Sequence, residues 1–145
     1  MGRGDLTGSE WLQLEPHFPK NDGRGGRWNP IALAPTEWER GRYLLTCFMD
    51  DLIDTPSTIR YEQLALADHT LREAAHLLTA RHQAWTGICK WLPGRLLSAD
   101  PALGRTLLNG HQHVAELGDK AALAAAAEQV LDLIGDPLRE GYIQR

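Results

Sequence analysis

From Thr36 onward, apolar side chains recur at three- and four-residue steps, and no segment alternates as a strand would. That pattern commits the chain to amphipathic helices. Thr36-Glu37-Trp38-Glu39 reads as a capping box, a hydroxyl followed three residues later by a carboxylate. The helix it opens should run to about Asp54, with Trp38, Leu45, Phe48, Met49 and Leu52 on one stripe. A long helix is predicted from about Thr58 to about Trp85. Leu64, Ala67, Leu71, Ala74, Leu78 and Trp85 should be buried, and His69, Arg72, Glu73 and His76 should lie opposite. Cys89 to Leu92 looks helical until Pro93-Gly94 breaks it. Asp100-Pro101 caps a helix that reaches Leu108 and is interrupted at Asn109-Gly110. Asp119 caps the clearest helix, Lys120 to Ile134, with Leu123, Ala127, Val130, Leu131 and Ile134 inward and Gly135 ending it. Asp136-Pro137 starts a last short turn. The expected fold is all-α: an up-and-down bundle of about five helices with a loosely attached N-terminal segment.

That segment meets the body at a seam near Asn29–Pro35. Residues 1–29 form one unit, 30–35 a connector and 36–145 the helical domain. Thr7-Gly8-Ser9-Glu10 reads as another capping box, followed by a short helix that Pro16 and Pro19 end. Lys20 to Trp28 is a basic, Gly-rich loop. Of the net charge of −4, none belongs to the first 35 residues, which hold four basic and four acidic side chains. The body holds eleven basic and fifteen acidic, so it lacks the cationic surplus of a non-specific nucleic-acid binder, although one local patch is compatible with it. The two cysteines, Cys47 and Cys89, are expected as buried reduced thiols. There is no run of about 18 apolar residues and no apolar leader. These features point to a soluble cytoplasmic protein without a membrane. Arg3-Gly4-Asp5 spells an integrin-binding tripeptide, read as chance in a chain with no export signal.

No complete catalytic motif is present. Asp50, Asp51 and Asp54 have the DDxxD spacing that holds Mg²⁺ and diphosphate in helical isoprenoid synthases. That fold needs about twice this length and a second metal motif. A solvated helix end is the simpler reading, although three acids in a last turn oppose the helix dipole at about 0.3–1 kcal/mol each. His111-x-His113 and His69…Glu73…His76 lack the H-E-x-x-H arrangement, and no metal or other cofactor is expected. The glycines of Gly23-Arg24-Gly25-Gly26 lack the strand and the Lys-Ser/Thr of a phosphate loop. Arg105 and His111 fit an R-x5-H spacing that resembles the signature of HEPN domains, small helical proteins that often act as RNases. There Arg and His converge across a dimer to activate a ribose hydroxyl and stabilise the phosphate. Thr106 departs from the polar residue usual after the Arg.

Leu6-Thr7, Trp11, Leu14-Glu15-Pro16, Pro19 and Gly26-Arg27-Trp28 resemble the start of insertion-sequence transposases of the DDE class. The match stops at Asn29, and length and content exclude a working transposase. The resemblance implies a remnant whose Arg24, Arg27 and Trp28 make at most a weak nucleic-acid contact. Lys90-Trp91-Leu92, Gly118-Asp119 and the tail VLDLIGDPLREGY from Val130 to Tyr142 make the body similar to the C-terminal helical domain of nucleotidyltransferases. In that family this domain packs on a catalytic domain and helps to hold the acceptor substrate. The Gly-Ser and paired aspartates of the catalytic domain are absent from this chain. The resemblances together imply a gene fusion yielding a non-catalytic or accessory helical domain. Lys90, Trp91 and Arg95 would face the substrate. The expected partner is a separate nucleotidyltransferase catalytic domain or a second copy of the chain. The alternatives are a HEPN-like RNase and a DNA-binding transposase fragment.

Overall fold

The computed structural model describes residues 32–142. Its helices are α1 (Pro35–Asp54), α2 (Arg60–Arg81), α3 (Leu92–Ala99), α4 (Pro101–Leu117) and α5 (Ala121–Ile134), with a 3₁₀ turn, Cys89–Trp91, before α3. Among the described residues there is no strand, and no helix is long and apolar enough to cross a membrane. The fold is thus an all-α bundle of five helices. The expected short helix and basic loop before residue 30 lie outside the described residues.

Each helix starts or stops for a local reason, and several differ from expectation. Helix α1 begins two residues early because Pro35 occupies its first turn, where a missing N–H costs nothing. Its N-cap is therefore Ala34 rather than Thr36. Alanine has no side-chain acceptor, so only half of a capping box forms: Glu37 accepts a hydrogen bond from the Ala34 N–H at 2.8 Å. Helix α2 stops at Arg81, short of Trp85, because Gln83 turns into the left-handed region at φ 52°. The Ala84 N–H then reaches Thr79 O (2.9 Å) and the Gln83 N–H reaches Ala80 O (3.0 Å), a Schellman ending built without glycine. Pro93 does not break a helix; it lies in the first turn of α3. Asp100 caps α4 as expected, its Oδ1 accepting from the Leu103 N–H at 3.0 Å. Helix α4 then runs unbroken through Asn109-Gly110. The N-cap of α5 is Lys120 rather than Asp119, and no side chain caps it; Asp119 Oδ1 accepts from the Ala121 N–H at 3.0 Å, an Asx turn just before the helix. Among the described residues no helix follows Gly135.

Helices α1, α2, α4 and α5 form a ring in which each packs on its two neighbours, with α2 and α5 also touching across the diagonal. Helix α3 covers α2 and α4, so α2 meets all the others. Hydrogen bonds at one end fix the directions. The start of α2 reaches the last carbonyls of α4, and Lys120, before α5, reaches those of α1. Ring neighbours are therefore antiparallel, as up-and-down packing requires. Leu45, Met49 and Leu52 of α1 meet Leu71, Ala74 and Leu78 of α2, Leu107 and Val114 of α4, and Leu123, Val130 and Leu131 of α5 in one core. Trp38 and Ile134 pack at its margin, and Leu64 is largely turned out. Because α2 is central, its buried arc is wide. Thr70 and Thr79 are buried on it, their hydroxyls donating to Leu66 O and Ala75 O.

Gly110 is a packing contact rather than a helix break. A Cβ placed there would lie 2.7 Å from both Cα and N of Leu123, so α4 and α5 touch backbone to backbone. Gly110→Ala is expected to force these helices apart and to cost about 1–3 kcal/mol. Gly94 in α3 has nothing within 4 Å of its notional Cβ, so Gly94→Ala should be neutral or stabilise by up to about 1 kcal/mol. Urea unfolding of the two variants checks the pair. The fully buried Gln63 donates through Nε2 to Gly118 O at 2.8 Å. Gln63→Ala should cost about 1–3 kcal/mol, seen as a lower urea midpoint, because it leaves that carbonyl only the longer bond from Ser57 Oγ and takes the Oε1 acceptor from Arg60.

Candidate functional site

Beyond the α2 Schellman ending, residues 82–91 fold into a compact loop. The Thr79 and Thr86 hydroxyls share a hydrogen bond at 2.8 Å that ties the loop to the helix. At Gly87 a Cβ would meet the Trp91 carbonyl, so the chain passes too close for any side chain. Cys89 takes φ 51°, and the Trp91 N–H closes on Ile88 O at 3.0 Å. This geometry turns the side chains of 88–91 outward. Ile88 is 72% exposed and Trp91 38%. Cys89 is exposed and Cys47 half-buried, both as free thiols, so the expectation that both would be buried is corrected. Apolar neighbours in sequence misled that reading, since the left-handed turn reverses the direction Cys89 faces.

The loop groups cations with indoles. Lys90 Nζ stands 4.9 Å from the Trp91 ring centroid and Arg95 Cζ 5.0 Å from that of Trp85, both within cation–π range. Lys90 is thus paired with Trp91, and Arg95 with Trp85, on one stretch of chain. Trp85 was expected as core, because the helical period was extended past the true end of α2. Between residues 81 and 105 the chain carries Arg81, Lys90, Arg95 and Arg105 against a single carboxylate, Asp100. That carboxylate is engaged twice, capping α4 through Oδ1 and meeting His82 Nε2 through Oδ2 at 3.1 Å. This stretch is therefore locally basic, although the same end of the bundle also carries Glu37 and Glu39 at the start of α1 and Asp132 and Asp136 at the end of α5.

The other candidates are not gathered into a site. Arg105 is exposed on α4, whereas His111 leans on α2, with Nε2 3.0 Å from Asp68 Oδ1. Six residues on an unbroken helix separate the two by about 9 Å of rise. His113 is exposed. Asp50 is held by Arg139 through two hydrogen bonds of 2.8 Å, while Asp51 and Asp54 face solvent. Among the described residues no group of three His, Cys, Asp or Glu side chains could hold a metal ion. Arg24, Arg27 and Trp28 lie outside the described residues.

The face with His69, Arg72, Glu73 and His76 is less open than its sequence suggests. Glu73 and His76 are half-buried, and Phe48 of α1 stacks on His69 at 5.1 Å. Burial pushes the Glu73 carboxyl above the usual carboxylate range, and the charges of His76, Arg40 and His69 only partly counter it. The folded protein therefore holds the Glu73 proton more tightly than the unfolded chain does. The stability linked to it is complete below the unfolded pKa, about 4.3, and is lost as pH rises through the folded value. Glu73→Gln is expected to raise the melting temperature at pH 7 relative to wild type. The gain should vanish near pH 4, as paired thermal scans would show.

No family model, curated protein or solved structure matches this chain.

Proposed function

We propose that this chain is an accessory helical domain, without a reaction of its own, that holds a phosphate-bearing aromatic substrate for a separate catalytic partner. This extends its likeness to the C-terminal domain of nucleotidyltransferases. The observation that carries the reading is the pairing of Lys90 with Trp91 and of Arg95 with Trp85 on one locally basic stretch. A half-exposed indole offers a stacking face to a base, and the cations beside it suit phosphate oxygens. Gene fusion remains the origin that best fits the likeness of residues 1–29 to a transposase start, and a transposon end beside the gene would support it.

A labelled adenine nucleotide titrated into the full chain tests the reading by fluorescence anisotropy. Combining Lys90→Ala with Arg95→Ala should weaken binding about tenfold or more. Trp91→Ala should weaken nucleotide but leave tripolyphosphate nearly unchanged. Absence of saturable binding would reject the proposal. RNA incubated with wild type, Arg105→Ala and His111→Ala separates it from an RNase, since cleavage abolished by both substitutions would replace the accessory reading with a HEPN-like one.

A further inference from the structure

The opposite end of the bundle has a different character. There α1 stops, α2 starts, α4 stops and α5 starts. Five of the eight exposed large apolar side chains among the described residues collect at this end: Ile53, Ile59, Tyr61, Leu64 and Leu117. Tyr61 is 91% exposed and Leu117 72%. Hydrogen bonds hold together the segments that carry them. Lys120 Nζ donates to Ile53 O and to Thr55 O (2.6 Å), Ser57 Oγ to Gly118 O (3.2 Å), and Arg60 to Val114 O and Ala115 O (2.9 and 2.8 Å). Single exposed apolar residues are ordinary, but a cluster marks an interaction surface.

Charge selects the partner. Asp51, Asp54, Glu62, Glu116 and Asp119 are all exposed at this end. Two cations lie among them, Arg60 and Lys120, with their donors aimed at helix carbonyls, so five carboxylates face two cations and the end stays net acidic. We infer that this end docks a basic amphipathic segment of another polypeptide, its apolar face on Tyr61 and Leu117 and its Lys and Arg against the carboxylates. The chain's own N-terminal segment is a poor occupant. Helix α1 spans about 30 Å, and Arg27 and Trp28 precede Ala34 by too few residues to cover that length at about 3.5 Å each; Lys20 and Arg24 lie far enough back to reach, but the loop from Lys20 to Arg27 holds no apolar side chain to lay on Tyr61 and Leu117. The apolar stretch around Trp11, Leu12 and Leu14 carries Glu10 and Glu15, which repel this surface. The inference does not depend on what the cationic loop binds.

The probe is a synthetic amphipathic helix of Leu and Lys, titrated into the full, isotope-labelled chain beside a Leu and Glu counterpart. The Leu–Lys peptide should bind in a salt-sensitive way, with amide shifts confined to residues 51–64 and 114–120. Tyr61→Ser with Leu117→Ser should weaken it about tenfold. Asp51→Asn with Asp54→Asn and Glu62→Gln should flatten the salt dependence. Ile88→Ser, exposed at the other end, should change nothing. All these positions are exposed, and unchanged thermal melts confirm that the variants fold. Equal binding of the Leu–Glu peptide, shifts outside the named residues, or no binding overturns the inference. A dimer of the free chain that Tyr61→Ser dissolves also overturns it, assigning the surface to a second copy.

Discussion

The carboxamide of Gln63 lies buried beside the end of α4, and the rest of the bundle hangs on that placement. A helix leaves its last four carbonyls without partners. Neither α1 nor α4 has a basic residue in its own last turn to meet them. The donors come from elsewhere in the chain. Gln63 and Ser57 meet Gly118 O, Arg60 meets Val114 O and Ala115 O while also bonding the Gln63 Oε1, and Lys120 meets Ile53 O and Thr55 O. The α1–α2 linker is thus held from the α4–α5 turn, and that turn from the first turn of α2. Neither connection is complete alone, so helix termination and bundle assembly become one event. Gly118 permits this at φ 69°, where the chain reverses tightly enough to bring α5 beside α4.

Using Arg60 and Lys120 as caps has an electrostatic consequence. Their charge is drawn toward backbone dipoles, and the carboxylates around them are left to set the field at that end. At the other end the C-terminus of α2 and the loop after it accumulate Arg81, Lys90 and Arg95, where a helix C-terminus favours cations. The bundle, roughly 33 Å long by the rise of α2, therefore carries a locally basic loop towards one end and a net acidic surface at the other. Such separation orients charged ligands and partners as they approach, and net charge alone conceals it.

Most of the helical architecture could be read from residues close in sequence. The stripe Leu45–Met49–Leu52, the Asp100 cap and the Gly135 stop are local rules, and the structure keeps them. The misreadings share one cause: the deciding neighbour is distant. Gly110 looked like a break because α5, which presses on it, is invisible from within α4. Pro93 looked like a stop because nothing local says whether a helix ends or begins there. Glu73 seemed solvated because its burial depends on α1 crossing at Gly41. At the candidate site, Lys90, Trp91 and Arg95 were legible as a basic aromatic stretch. Trp85 was not, because only a left-handed Gln83 takes it out of the helical period.

The acidic last turn of α1 shows how the same distant neighbours settle chemistry. Three aspartates at a helix C-terminus oppose its dipole, which invites a metal ion as the compensating charge. Two side chains from later in the chain supply that compensation. Lys120 sits on the terminal carbonyls, and Arg139 grips Asp50 with both nitrogens. Arg139 is brought there by the tail after Gly135, which lies along α1. Arg42 donates to Gly135 O and Asp136 O, the Leu138 N–H donates to Thr46 Oγ1 at 3.0 Å, and Tyr142 stacks on Tyr43 at 4.4 Å. Arg42, Thr46 and Asp50 follow at four-residue steps, one face of α1 laid out to receive an extended strand of chain. Residues 135–142 therefore belong to the bundle as much as any helix does. They turn Asp50 from a potential metal ligand into a latch, leaving Asp51 and Asp54 as the outward acids of the docking end.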